Sequence, residues 1–429
     1  MSETDNVVID HRTKGVPGLA APFRIGDISA KGWNAMRGDM PLPLAVIKEP
    51  VLAENARWIS AFAARAGVSL CPHGKTTMSP EIFRRQLADG AWGITLSTAH
   101  QVQVARDFGV PRILLANQMI GPAFIDYIAA ELERDPGFDF YCLVDSLEGV
   151  EMLRSRLSSR SPSRSLQVLL EVGMDGGRTG CRNREQALAV ARAAHGAAPY
   201  LLLRGVEGFE GIVPESTRDQ PAPVEHFLDR MVEVAAACEL EGLFAPGEVI
   251  LSAGGSAYFD IVARKLVAFD IGRPVRIVLR SGCYIAHDSD MYVSHFAAIE
   301  RRSDLARAIP GRLAPALEVL AYVQSRPEPT RVLLTAGKRD CSFDHHLPTP
   351  LATVQPGQDP TLRALGTDHK IVSLNDQHAY MELPARSDIA IGDIVILGIS
   401  HPCTTFDRWD VLYGVNSRYD VISAFKTYF

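Results

Sequence analysis

The chain has 429 residues, 47% of them hydrophobic and 22% charged, which is the composition of an ordinary globular protein. A formal net charge of −6 argues against nucleic acid or an anionic membrane surface as the main partner. No run of about 20 apolar residues occurs, the start MSETDNVVIDHRTKG is polar and acidic, and seven cysteines lack framework spacing, so neither a membrane span nor a secretory leader is expected and the thiols read as reduced and cytoplasmic.

The first 45 residues show no helical pattern and are expected to join a β-domain further on. From residue 46 to about 300 a rhythm of short apolar runs and helical segments sets in. The runs are VSLC (68–71), GITL (93–96), RILLA (112–116), FYCLV (140–144), LQVLLEV (166–172), YLLLRGVEG (200–208), EVILS (248–252) and RIVLR (276–280). They are nearly continuous in Val, Ile and Leu, as parallel strands buried on both faces should be. Between them, SPEIFRRQLADG starts with Ser79 as a cap and Pro80 in the first turn, and NREQALAVARAAHG starts at Asn183 and stops at Gly196. Eight such units predict a (β/α)8 barrel, with a doubly wound sheet as the alternative; no G-x-G-x-x-G turn follows the first strand. After residue 300 the pattern changes. HKIVSLNDQHAYMELP, GDIVILGISHP and DVLYGVNSRYDVISAF read as strands, and RPEPT and LPTPLATVQPGQDPT as proline-rich loops, so residues 301–429 are expected to form an all-β domain.

Barrel sites sit at the C-terminal ends of the strands. The first strand exits into CPHGKTTM, where Lys75 is either a solvated loop lysine or a part-buried amine of lowered pKa over the mouth. The fifth exits into GMDGGRTG, where Arg178 could hold a phenolate or carboxylate oxygen, or simply decorate a flexible turn. The sixth, VEGFEG, offers Glu207 and Glu210, as an exposed pair of acids or with one carboxylate facing a pyridine nitrogen. At the seventh, SAGGSAYF, the small residues Ser252, Gly254, Gly255 and Ser256 stand before a helix beginning near Tyr258, a cradle for phosphate. The eighth exits into SGCYIAHDSDMY, where Tyr284 could pack on a cofactor's flank and His287 and Asp288 follow. A lysine at strand one and a phosphate cradle at strand seven together suggest pyridoxal phosphate.

Near the end stands HPCTTFDRW, 401–409. Proline favours extended geometry in the residue before it, so His401 and Cys403 are expected to point to one face with Pro402 opposite. Ordinary packing in a β-domain is the plain reading of these two residues on their own.

Taken together, PHGKTT with Lys75, GMDGGRTG, SAGGSAYF and HPCTTFDRW resemble the fold-type III pyridoxal-phosphate enzymes of the D-serine dehydratase and D-threonine aldolase group. The likeness covers roughly residues 40–429, and HPCTTFD looks like the dehydratase branch, the aldolase branch being expected to carry an aspartate in place of Cys403. The resemblance implies a barrel with a β-domain, usually a homodimer, with Lys75 as the lysine that holds the cofactor and acts as base. It further implies Arg178 on the cofactor, Ser252 to Ser256 on its phosphate, and His401 and Cys403 on a zinc ion that helps a β-hydroxyl leave. The implied reaction is elimination of water from D-serine or a related β-hydroxy D-amino acid, giving a keto acid and ammonia. Aldol cleavage and a non-catalytic pyridoxal-phosphate carrier are the alternatives. Glu207 departs from the pattern, since relatives tend to have an aromatic or amide residue there.

Overall fold

The computed structural model describes residues 3–160, 162–212, 221–358 and 360–429. Eight strands, Ser69–Leu70, Ile94–Leu96, Arg112–Gln118, Asp139–Val144, Leu166–Val172, Leu201–Gly208, Val249–Ala253 and Val275–Leu279, pair in parallel in chain order, and the last lies beside the first. These are the eight apolar runs of the sequence. The remaining seam, between the first and second strands, is joined by Thr95 N donating to Pro72 O at 2.9 Å and Trp92 N to Leu70 O at 2.7 Å. The curled sheet is therefore a closed barrel.

Alternation along the strands explains why the runs look continuously apolar. Leu114, Tyr141, Leu143, Leu169, Ile250 and Val278 point inward and form a core of their own. Their neighbours Ile113, Leu115, Phe140, Cys142, Val168 and Leu170 point outward into the layer under the helices. Both faces are covered, so neither needs polar residues. Asn183 caps its helix by accepting from Gln186 N at 2.8 Å. Ser79 precedes the helix Pro80–Ala88 as expected but makes no cap bond, and its hydroxyl is buried without a partner.

Behind the barrel lies an antiparallel β-domain. Its long strand Leu317–Glu328 pairs with Ile394–Gly398 on one edge and with Leu44–Lys48 on the other. Leu44–Lys48 also pairs in parallel with Val411–Val415, so chain from before the barrel sits inside a sheet built from chain after it. Ile9, Val16, Phe23, Ile25 and Ile28 pack on this sheet against Leu320, Ile396 and Tyr413. Two proline-rich stretches expected as loops are partly strand. Thr349–Val354 pairs with Ile394–Gly398, and the register shifts between Pro350 and Ala352, which lets a residue without an N–H sit in the ladder. Pro327 lies near the end of Leu317–Glu328.

Gly15 shows how tightly the N-terminal segment is seated. Its φ is +87°, and a Cβ there would stand 2.4 Å from Leu44 Cδ1 and 2.6 Å from the Tyr413 ring. Gly15→Ala should destabilise the protein by about 2 kcal/mol, from overpacking and a disfavoured φ. Gly18→Ala, with nothing within 4 Å, should leave the melting temperature unchanged. Thermal unfolding of the two variants beside the parent checks this.

Candidate active site

The C-terminal ends of the strands open into a cavity of about 140 Å³ that adjoins a second of about 400 Å³, the two sharing Phe209, Gly255, Ser256 and Tyr292. Lys75 lies in the short turn Gly74–Thr76 directly after the first strand and lines the smaller cavity. A Cβ on Gly74 would come within 2.8 Å of Ile94 and Phe83, so only glycine lets the turn press this closely on the barrel. Lys75 is exposed rather than part-buried, and it makes no hydrogen bond or ion pair among the described residues. The amine is thus free to react. His73, two residues earlier, has a buried Nδ1 without a partner, and burial, with the charge of Lys75, holds its pKa well below the usual imidazole range.

The acids of the sixth exit are not an exposed pair: Glu207 is 1% and Glu210 0% exposed. Glu207 is ion-paired with Arg280 at the eighth exit. Burial pushes its carboxyl up to about 8 even so, with the Arg280 charge opposing. Its Oε2 and the Nε of Arg280 are both buried without a partner. Glu210 accepts from Gly254 N at 3.0 Å and from Gly255 N at 2.6 Å. The two amides expected to cradle a phosphate are therefore occupied by a carboxylate. Ser252 does not reach the cavity, since it is fully buried in its strand and donates to Val278 O at 3.2 Å. Gly255 and Ser256 do line it, next to Ser281, Gly282 and Cys283 of the eighth exit, whose Ser281 hydroxyl donates to Gly254 O at 3.0 Å and Gly255 O at 3.2 Å. A Cβ on Gly282 would lie 2.5 Å from His73 O, so this second small-residue loop is also a close-approach feature.

Two further expectations shift. Tyr284 is not on the cavity wall. The short turn Cys283–Ile285 sends it into the barrel's outer layer, where Gln86 Nε2 donates to its hydroxyl at 3.2 Å. Arg178 is exposed, and its guanidinium stands 5.1 Å from the ring of Phe209, a cavity residue, so it lies at the rim. Arg280, Ser281, Gly282, Cys283, Thr76 and Tyr292 line the cavity without having been singled out, although SGC stood in the quoted eighth exit.

His401 and Cys403 both line the same cavity as Lys75. The route differs from alternation along an extended segment. Pro402 is helical, at φ −59° and ψ −47°, and Cys403 opens the turn Cys403–Phe406. His401 is instead fixed by its N–H donating to Ser342 Oγ at 3.1 Å and by Nδ1 pairing with Asp344 Oδ2 at 2.6 Å. The Cys403 sulfur is 3.6 Å from Cys283 Sγ and 3.4 Å from Thr76 Oγ1. The contact with Cys283 holds the Cys403 thiol down to about 7 against its burial, with Thr76 and the charge of Lys75 helping. Imidazole, a borderline donor, and thiolate, a soft one, both suit zinc. Among the described residues, the three metal-binding side chains whose ligand atoms all fall within 4.8 Å of one another are Asp344, His345 and His401, without Cys403.

The free amine of Lys75, the orphaned Glu207 and Arg280 atoms and the small-residue loops fit an aldehyde, a ring nitrogen and a phosphate respectively, so the mouth has the parts that pyridoxal phosphate needs. Glu207 also gives a stability signature. A carboxyl raised from 4.5 to about 8 stabilises the fold fully below its unfolded pKa and loses that contribution as pH rises toward 8. The melting temperature of cofactor-free protein should therefore fall more steeply between pH 5 and pH 8 than that of Glu207→Gln. Equal slopes would show that the carboxyl is not raised.

Two family models match the chain: "Alanine racemase, N-terminal domain" over residues 47–274, more than half of it, and "Putative serine dehydratase domain" over 316–415. A D-threonine aldolase from Arthrobacter sp is 27% identical over 87% of this chain and 90% of its own length. A D-threo-3-hydroxyaspartate dehydratase from Delftia sp. is 28% identical over 52% of this chain and 63% of its own. Among solved structures, the D-threonine aldolase from Filomicrobium marinum superposes with a TM-score of 0.74 at 20% identity, covering 95% of this chain and 98% of its own. The barrel with its free lysine, the β-domain behind it and these matches agree: the chain belongs to the fold-type III pyridoxal-phosphate family, with an alanine racemase-type barrel followed by a serine dehydratase-type domain.

Proposed function

We propose that the protein is a lyase dependent on pyridoxal phosphate and zinc, which eliminates water from D-serine or a closely related β-hydroxy D-amino acid to give an α-keto acid and ammonia. The observation that carries this reading is that Lys75, His401 and Cys403 line one small cavity although they come from opposite ends of the chain. An amine able to take an α-proton and a donor pair able to hold a Lewis acid are the two tools that β-elimination of a hydroxyl requires.

Lys75 would hold the cofactor and, once released by substrate, take the α-proton on the face it occupies. Bound pyridoxal phosphate supplies the electron sink that makes that proton acidic. Glu207, with its raised pKa, and Arg280 would meet the ring nitrogen. Ser256 and the loop of Ser281 and Gly282 would hold the phosphate, with Arg178 at the rim. His401 and Cys403 would hold the zinc, which supplies the Lewis acidity that turns a β-hydroxyl into a leaving group. A single base on one face is consistent with use of one enantiomer. Support for elimination over aldol cleavage comes from Cys403. Two solved structures of a D-threo-3-hydroxyaspartate dehydratase are a His→Ala mutant and, two positions along, a Cys→Ala mutant in the metal-free form, the spacing of His401 and Cys403 here.

The aldol reading is favoured by the names of several relatives, D-threonine aldolase and 3-hydroxy-D-aspartate aldolase from Paracoccus denitrificans. Products separate the two. Purified protein should release pyruvate from D-serine and not from L-serine, and lose this activity on chelation. Lys75→Ala should lower kcat by at least about 10²-fold. Glycine and an aldehyde from D-threonine, with no pyruvate from D-serine, would replace elimination by aldol cleavage. Stoichiometric cofactor binding with no product from either substrate would replace it by a carrier role.

A further inference from the structure

Cys283 and Cys403 are 120 positions apart in sequence, and their sulfurs are 3.6 Å apart. That is far longer than a disulfide of about 2.05 Å. It is close to the separation of two thiolates on one zinc ion, since two bonds of about 2.3 Å at the tetrahedral angle place their sulfurs about 3.8 Å from each other. Each cysteine is the first residue of a short turn, Cys283–Ile285 and Cys403–Phe406, so the backbone on both sides is fixed. Both line the cavity that holds Lys75 and His401. Cys283 is buried and Cys403 half-buried, and their surroundings are polar. Thr76 Oγ1 lies 3.7 Å from Cys283 Sγ and 3.4 Å from Cys403 Sγ, and the Tyr292 hydroxyl hydrogen-bonds to Cys283.

We propose that Cys283 is a third protein ligand of the active-site metal, completing with Cys403 and His401 a Cys2His centre that keeps one position for substrate. The inference rests on the reading of His401 and Cys403 as metal ligands. Those two alone are fewer than the three protein ligands, plus one open position, typical of catalytic zinc. Cys283 is a third donor lining the same cavity, with its sulfur 3.6 Å from that of Cys403. Asp344 then acts on the metal through His401: bonded to Nδ1 at 2.6 Å, it leaves Nε2 as the nitrogen for the ion. Among the described residues the set whose ligand atoms already lie within 4.8 Å of one another is Asp344, His345 and His401, its first two members exposed, so the Cys283–Cys403–His401 set closes only when its ligand atoms move in toward the ion.

X-ray absorption on the zinc-loaded, reduced holoenzyme counts sulfur ligands without any substitution, and should find two. Cobalt(II)-loaded protein should show thiolate-to-metal charge-transfer absorption that falls to about half in Cys283→Ser and in Cys403→Ser. Zinc affinity, measured against a competing chelator, should weaken at least tenfold in Cys283→Ser. One sulfur in the parent, with Cys283→Ser unchanged in band and affinity, would overturn this assignment and leave the His401–Cys403 reading standing. No sulfur in the parent would overturn both, and loss of the metal in His345→Ala would then place it on the outer set.

Discussion

Leu44–Lys48 is hydrogen-bonded along both edges, to Leu317–Glu328 and to Val411–Val415, and runs without interruption into the helix Glu49–Ala66. A strand paired on both sides cannot slide by one residue without turning its buried side chains to the wrong face. Ala45 and Ile47 pack into the main core and Leu44 and Val46 into the cluster under the N-terminal segment, so a slip would exchange the two sets. This one strand therefore sets the β-domain against the barrel. Cross-links then refine the fit. Ser289 N donates to Ile399 O at 3.0 Å, Ala316 N to Ala286 O at 2.7 Å and Tyr428 N to Met78 O at 2.9 Å. The first of these ties a residue six positions after Cys283 to one four before Cys403. Gly398 is required beside it, because a Cβ there would stand 2.4 Å from Ser289 Oγ. A link between barrel and β-domain thus lies close in sequence to both cysteines.

How much of this was legible in the sequence depends on the range of the interaction. The barrel strands were legible because burial on both faces is written into consecutive residues, as in LQVLLEV. Thr349–Val354 was not, because Pro350 is accommodated by a bulge that only the partner strand reveals. The strand exits and the HPC motif located the site, since Lys75, Gly255 and Ser256 from the exits and His401 and Cys403 from the motif all line the cavity. Direction within an exit was not legible. SGCY contains both Cys283, which faces the cavity, and Tyr284, which turns away to Gln86. HPC placed two donors together, yet Pro402 is helical, and His401 is held by Ser342 and Asp344, residues some sixty positions away, while Cys403 meets Cys283 and Thr76. Cys283 could not be paired with Cys403 by spacing at all.

The charged groups in the mouth carry the last constraint. Glu210 gives its carboxylate to the amides of Gly254 and Gly255, and Gly254 sits at φ +94° with Leu279 Cδ2 2.6 Å from where a Cβ would be. Charge-assisted bonds of this kind contribute about 1.5–3 kcal/mol each. A phosphate arriving at the same two amides would have to break both and would face a buried carboxylate at close range, a like-charge encounter in a medium that screens poorly. In the proposed reading the phosphate avoids that cost by lying against Ser256 and Gly282, on the two small-residue loops that the Ser281 hydroxyl ties together through Gly254 O and Gly255 O, while Glu210 stays where it is. The two glycines then act on the cofactor through shape. They allow a turn that only residues without a Cβ can make, Glu210 locks it, and the locked turn presents Ser256 to the cavity. The same logic applies to Glu207, which is held against Arg280 by burial and leaves one oxygen free. Both acids that looked like surface residues in VEGFEG are buried and bonded in the mouth, Glu210 to the turn and Glu207 to Arg280.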